Sequence, residues 1–362
     1  MFNNTIFKYL KKRLIKPLTL KIDQYSLNHD HKIAAQKAIK AYEDSNGIKL
    51  SPNLKKLADE YASDVFGGKE FSPWLQFYSL VSGEFKEGWI PDNYFGEFVA
   101  PQKGLSLVSL YKTFANVLFK TPILPDIAYF IDGHLYNNEF GPTNVTNLRK
   151  TCFKEYPDVI LKPDNSHKGR GIFKICSERI DEEVLKKIGD CVLQYPLKQH
   201  LFFDEIIPES DASACLRIFT VRNLKGEIEA RTAHLNLGRK VENVFLFKNF
   251  FQVPIVSSEG ELNSFGFTSD WKKWKKHPDT DNDFARKKIP HFSEANKVCI
   301  DLHSLIPHFN VVGWDIAITT DEEIKLMEWN AIYPGIKLDE AVRGPCFCGL
   351  NWENLWRNNR RR

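Results

Sequence analysis

The sequence predicts an α+β chain whose N-terminal region is mainly helical and rich in aromatic residues. Two patterns and one size argument point there. Ala-, Lys- and Leu-rich stretches within residues 30–70 (Ile33 to Tyr42, Leu54 to Phe66) repeat with a helical period. From residue 127 onward, short runs of β-branched and aromatic residues are bounded by turn-forming ones. At 362 residues the chain exceeds one minimal core and suits two or three packed units.

Taken in order, residues 1–16 read as a short basic amphipathic helix. Ile6, Phe7, Leu10 and Leu14 share one side, Lys8, Lys11, Lys12, Arg13 and Lys16 populate the rest, and Pro17 ends it. Such a segment suits either a peripheral contact with anionic lipid or a helix packed on its own domain with a solvated basic face. Phe71 to Pro101 is dense in Trp, Phe, Tyr, Gly and Pro and is expected to be irregular structure packed on a neighbouring domain. Leu105 to Phe119 reads as a helix. Strands are expected at Ile127–Ile131, Val159–Lys162, Gly171–Cys176, Cys191–Tyr195, Leu216–Val221, Ile228–Leu237, Val311–Ile318 and Ile324–Trp329, with a helix from Glu294 to Leu305. The tail from Arg357 is basic and expected to fray. These patterns divide the chain into 1–104, 105–196, 197–350 and 351–362.

Composition narrows the class. Apolar residues make up 43% and charged residues 27%, ordinary for a folded protein, and a net charge of +4 does not imply a nucleic-acid partner. The seven cysteines are odd in number and mostly scattered, which fits a reducing cytoplasm better than a disulfide framework. Cys346 and Cys348 form a C-x-C pair without partner ligands, a weak metal signal. No apolar run is long enough to span a membrane, and Met1 to Ile15 lacks the features of a secretory signal.

Two segments carry the chemistry. In Val159 to Lys174, a strand delivers Lys162, a polar loop with Gly169 and Gly171 follows, and a second strand begins. Glycines let backbone N–H groups approach an anion, and Lys162, Lys168 and Arg170 add positive charge, so the hairpin suits phosphate. It lacks the strand-to-helix P-loop motif, and an ordinary hairpin turn would read the same way. The second segment contains Gly313-Trp-Asp315 and then Glu328-Trp-Asn330, followed by Pro334-Gly335. Glu328 and Asn330 are two apart on a strand and so share a face, with Asp315 expected on the adjacent strand. Three oxygen donors on one face suit Mg²⁺, and a solvated edge with turn residues is the plainer alternative. Trp329 points to the core in either reading. No Ser-His-Asp or Cys-His arrangement stands out. His29 and His31 are expected to be exposed in preference to holding a metal.

Together these segments resemble the ATP-grasp superfamily, and more closely its sugar-transfer-associated branch. Over roughly residues 100–345 the resemblance is carried by Leu197-Lys-Gln-His200, Leu216-Arg217-Ile-Phe-Thr-Val, His277-Pro-Asp-Thr280, Ile289-Pro290 and Gly313-Trp-Asp315. It implies two α+β subdomains clasping ATP. Lys112 and Lys162 would be the nucleotide lysines, Ser166 to Gly171 (with Lys168 and Gly169) the phosphate loop, and Gln194, Tyr195 and Leu197 the adenine hinge. His200 would lie near the ribose, and Asp315, Glu328 and Asn330 would hold two magnesium ions. The resemblance also implies a role beside enzymes that build surface polysaccharides.

Three positions depart from the pattern. Gln194 stands where the hinge usually has an acid. Gly313 stands where D-alanine ligases carry an arginine, which leaves Arg217 or Arg231 to supply positive charge at the reacting centre. Glu242-Asn243 stands where relatives have Asp-Asn. The implied activity is an ATP- and Mg²⁺-dependent ligase. It would join a saccharide or small-molecule carboxylate to an amine through an acyl phosphate, in the cytoplasm, at the inner membrane face if residues 1–16 bind lipid. A phosphotransferase and a non-enzymatic nucleotide-binding partner of glycosyltransferases are the alternatives.

Overall fold

The structure, a computed structural model, describes residues 27–100, 104–166, 171–207, 213–240 and 250–359. The basic segment 1–16 and Glu242-Asn243 lie outside the described residues. The chain divides into two units: residues up to Phe98 together with those from Gly335 onward, and Val99–Pro334. Residues 335–350, grouped by sequence pattern with the C-terminal subdomain, thus cluster with the N-terminal region.

The first unit is helical at 27–46, Pro52–Phe66, Ser72–Ser82, Lys337–Arg343 and Leu355–Asn359. Ser51 starts the second of these: its Oγ accepts the Leu54 N–H at 3.2 Å and Pro52 occupies the first helical turn, where a missing N–H costs nothing. The expectation of irregular structure over 71–101 is corrected. Pro73 lies in the first turn of Ser72–Ser82, further helical turns run from Asp92 to Val99, and aromatic packing overrides the turn-like composition. Trp74, Phe77, Tyr78, Trp89, Tyr94 and Phe95 are all buried, and Phe95 packs on Phe347 and Trp352 of the same unit. The tail, too, is ordered further than expected: the helix runs through Asn359, with Trp356 Nε1 donating to Val65 O at 2.9 Å.

The second unit holds two antiparallel sheets. The first is built from β1 (Asp126–Ile131), β2 (His134–Asn137), β3 (Asp158–Pro163), β4 (Phe173–Cys176) and β5 (Cys191–Gln194), in the order β2-β1-β5-β3-β4. The second contains β6 (Ala214–Arg222), β7 (Ile228–Leu237), β8 (Phe251–Pro254), β9 (Gly266–Thr268), β10 (Lys273–Trp274), β11 (Val311–Ile318) and β12 (Ile324–Asn330), in the order β10-β9-β8-β7-β6-β11-β12. The α+β class therefore holds, and β7 and β11 coincide with their expected bounds. β2, β8, β9 and β10 are short and gave no readable alternation.

Helix Phe292–Leu305 covers one face of the larger sheet. Its Ala295, Cys299 and Leu302 recur at i, i+4 and i+7, and they join Leu216, Ile218, Leu235, Trp314 and Trp329 in one apolar core. The single helix expected over Leu105 to Phe119 is instead three short pieces, Leu105–Leu110, Lys112–Phe114 and Ala115–Phe119. Tertiary hydrogen bonds compete with the helix there. The Asp164 carboxylate accepts Thr113 N at 3.0 Å and Thr113 Oγ1 at 2.7 Å, while Asn165 N donates to Leu110 O at 3.0 Å. Among the described residues no helix is long and apolar enough to cross a membrane.

Candidate functional site

The site is built on strand register. Asp315 on β11 lies opposite Glu328 on β12, and Gly313 lies opposite Asn330. On the other side of β11, β6 sets Arg217 opposite Asp315, and β7 sets His234 opposite Arg217. Directly paired residues present their side chains on the same face. Glu328, Asp315, Arg217 and His234 therefore form one polar row across four strands, while Trp314 and Trp329 turn to the apolar core.

Asp315 is heavily engaged. Arg217 forks onto it, Nε to Oδ1 at 2.6 Å and Nη2 to Oδ2 at 2.8 Å. Asn330 Nδ2 donates to Oδ2 at 3.2 Å and Cys215 Sγ to Oδ1 at 3.4 Å. Arg217 Nη1 also donates to Pro334 O at 2.8 Å. Burial pulls against the Arg217 charge, yet Asp315 holds the guanidinium pKa above its usual value. Burial, with Asp315 next, pushes the Cys215 thiol well up, so it stays protonated and donates. Gly313 makes this packing fit: a Cβ there would come within 2.7 Å of the Pro334 Cβ. A side chain at that position would force Pro334 to shift, and the guanidinium arrives from the neighbouring strand.

Both sequence-selected lysines reach the same place. Lys112 Nζ lies 3.4 Å from Glu328 Oε1 and donates to Ser166 O at 3.2 Å. Lys162 Nζ donates to Met327 O at 3.1 Å, and burial lowers its pKa against the opposing pull of Glu328 and Asp126. Ser166 Oγ donates to Pro163 O at 2.8 Å, and Gly171 turns the chain into β4 through a left-handed φ of 77° that favours glycine. Lys168, Gly169 and Arg170 lie outside the described residues. A pocket lined by Ser109, Lys112, Lys162, Gln194, Met327 and Glu328, among others, lies within this unit.

The hinge residues separate. Gln194 is buried and its Nε2 donates to Asp126 Oδ1 at 2.7 Å, so an acid delivered by β1 stands beside it. Burial raises the Asp126 pKa despite hydrogen bonds from Tyr129 and Gln194. Tyr195 stacks on Tyr156 at 4.8 Å, and Leu197 is half-buried. His200 caps a short helix, its Nδ1 accepting Phe202 N at 3.1 Å. Arg231 is held by Glu229, with Nε and Oε1 2.8 Å apart, and no described contact joins it to Asp315. His277, buried, holds Gly238 O at 3.1 Å through Nε2.

The sequence reading missed Asp126, Asp164, Cys215 and His234. Cys215 lies two residues before Arg217 and so was readable from strand alternation. His234 needed the β6–β7 register, and Asp126, beside Pro125, looks like a turn residue.

A hairpin whose loop ends at Gly171 and a strand pair bearing two acids and an amide thus belong to one α+β unit. Residues 216–350 match the family described as sugar-transfer associated ATP-grasp. The resemblance read from sequence is thus borne out over the segment that holds Arg217, Asp315, Glu328 and Asn330. Lys112 and Lys162 precede the matched segment. No curated protein sequence matches the chain. Among solved structures, the ATP-grasp ligase PsnB complexed with minimal precursor is 12% identical, with 80% of this chain and 68% of that chain covered and a TM-score of 0.40. The L-amino acid ligase from Bacillus licheniformis is 12% identical, with 68% of this chain and 47% of that chain covered and a TM-score of 0.40. This chain thus covers less than half of that ligase. The D-alanine-D-alanine ligase from Coxiella burnetii is 9% identical, with coverages of 70% and 60% and a TM-score of 0.37.

The residues fit a polyphosphate with a hard cation. Oxygen donors gather on one sheet face, which suits Mg²⁺, and two lysine ammonium groups reach the same pocket, which suits phosphate.

Proposed function

We propose that Val99–Pro334 binds ATP with Mg²⁺ and that the chain is a carboxylate–amine ligase. The observation that carries this reading is the convergence of Lys112, Lys162 and Glu328 on one pocket beside Asp315, Asn330 and Arg217. Lys112 and Lys162 hold the phosphate oxygens, with Ser166 at the start of the loop. Gln194, oriented by Asp126, faces the base. Glu328 and Asn330 would carry the oxygen donors for the cation, beside Asp315, whose carboxylate holds Arg217. Mg²⁺, when bound, offsets charge on the phosphate oxygens. A substrate carboxylate attacks the γ-phosphorus and expels ADP, giving an acyl phosphate, and an amine then displaces phosphate and loses a proton to leave an amide. The protein's part is positioning and electrostatics. Arg231, held by Glu229, is given no catalytic role.

The acid is placed among acidic saccharides, which the sugar-transfer description of the matching family supports. A cytoplasmic location, with residues 1–16 at the inner membrane face, is supported by the basic amphipathic pattern and the free cysteines. The test is ADP release over crossed acidic sugars and amino acids, with product masses. A condensation mass that needs both substrates confirms the ligase. A product heavier by one phosphoryl group without an amine replaces it with a phosphotransferase. Binding without turnover across the panel replaces it with a nucleotide-dependent binding partner.

A further inference from the structure

The resemblance implies two magnesium ions, and the geometry of Asp315 argues against the second. An ionised carboxylate offers about four lone-pair sites. On Asp315 these meet Arg217 Nε, Arg217 Nη2, Cys215 Sγ and Asn330 Nδ2. The two Arg217 bonds are short, charge-assisted and bidentate, the strongest arrangement available to a carboxylate among side chains. Arg217 is itself pinned by Pro334 O, and Pro334 reaches it because Gly313 has no side chain. Glu328 differs. Its ion-pair partner among the described residues is Lys112 at 3.4 Å, a flexible ammonium that phosphate would draw away.

We propose that the site takes up one divalent cation per nucleotide, held by Glu328 with Asn330, and that Arg217–Asp315 stands where a second cation would otherwise be needed. The inference rests on the ATP reading above. Asn330 spends Nδ2 on Asp315, which leaves its Oδ1 as the atom that would face a cation, with the Arg217 fork in place. Magnesium commonly takes one or two carboxylates and completes its shell with water and phosphate oxygens, so Glu328, Asn330 and ATP suffice for one ion. The Arg217 guanidinium, unable to deprotonate, supplies fixed positive charge beside that ion without needing a carboxylate of its own. Asp315 is then a positioning residue: it aims Arg217, and its charge is neutralised by it.

The experiment is a titration of the full chain with Mn²⁺ in the presence of the non-hydrolysable analogue AMP-PNP, counting bound Mn²⁺ by electron paramagnetic resonance. The expected result is one Mn²⁺ per chain in the native protein, one in Asp315→Asn, and loss of nucleotide-dependent Mn²⁺ in Glu328→Gln. Circular dichroism spectra of both variants establish that they are folded, and the count on the native protein decides the matter without them. Two Mn²⁺ in the native protein overturn the single-cation proposal and leave the ATP reading intact. No AMP-PNP binding with Mn²⁺ present overturns both.

Discussion

Two buried acids, one in each unit, solve the same problem in opposite ways. Glu340 in the first unit is fully buried and its carboxyl accepts backbone N–H groups, Ile90 at 2.7 Å and Cys346 at 2.8 Å. Among the described residues it has no ion-pair partner, and burial pushes its pKa well above the ordinary range. Asp315 in the second unit is nearly as buried, yet its principal partner is a guanidinium, and Glu328 with two lysines lies beside it. Burial of a carboxyl thus says little about function. Glu340 joins chain segments far apart in sequence, whereas Asp315 belongs to a row of opposed charges on a sheet face that carries a pocket.

The largest expected effect is at Glu328. Glu328→Gln keeps the shape and removes the charge, so kcat/KM for ATP-dependent turnover should fall by about 10²–10³, the scale for loss of one electrostatic contact to the transition state. The melting temperature should move little. A variant that keeps full turnover would break the contrast between the two acids. Glu340→Ala should do the reverse. It strands two buried N–H groups at roughly 1–3 kcal/mol each, read by denaturant unfolding, with ATP binding in the folded fraction retained.

The pH dependence sharpens the same contrast. The folded-state pKa of Glu340 lies above its unfolded value, so its contribution is present below the ordinary value of 4.5 and is lost as pH rises toward the folded pKa. Glu340→Gln should remove that part of the pH slope. His303 runs the other way. It is buried beneath the sheet, with Nδ1 2.7 Å from Thr220 Oγ1 and Nε2 3.1 Å from Phe309 O, and burial lowers its pKa from 6.5 to about 4. Its contribution is present above 6.5 and is lost as pH falls to about 4, on the order of 3 kcal/mol in unfolding free energy. His303→Gln should flatten that acid limb. The smallest effect is expected at Arg231, where Arg231→Ala should change stability by about 0.5 kcal/mol or less and leave ADP release nearly unchanged.

Much of the site was readable because strand alternation is local. The two-residue spacing of Glu328 and Asn330 puts them on one face whatever surrounds them, and β11 and β12 follow from their apolar pattern. The lysines were legible only through the resemblance, since Lys112 lies in a segment whose helical periodicity is broken by the Asp164 carboxylate. The aromatic stretch 71–101 looked irregular because its Gly and Pro residues suggest turns, yet Pro73 lies in a helix's first turn and the rings pack on one another.

The sequence by itself determined the α+β class, the hairpin that delivers Lys162, and the face shared by Glu328 and Asn330, because each depends on residues close in the chain. Tertiary structure alone decided that Arg217 lies on Asp315 and that Asp126 supplies the acid beside Gln194. Those partnerships are set by which strands become neighbours and in what register, and in an antiparallel sheet a shift of one residue would send each of these side chains to the opposite face.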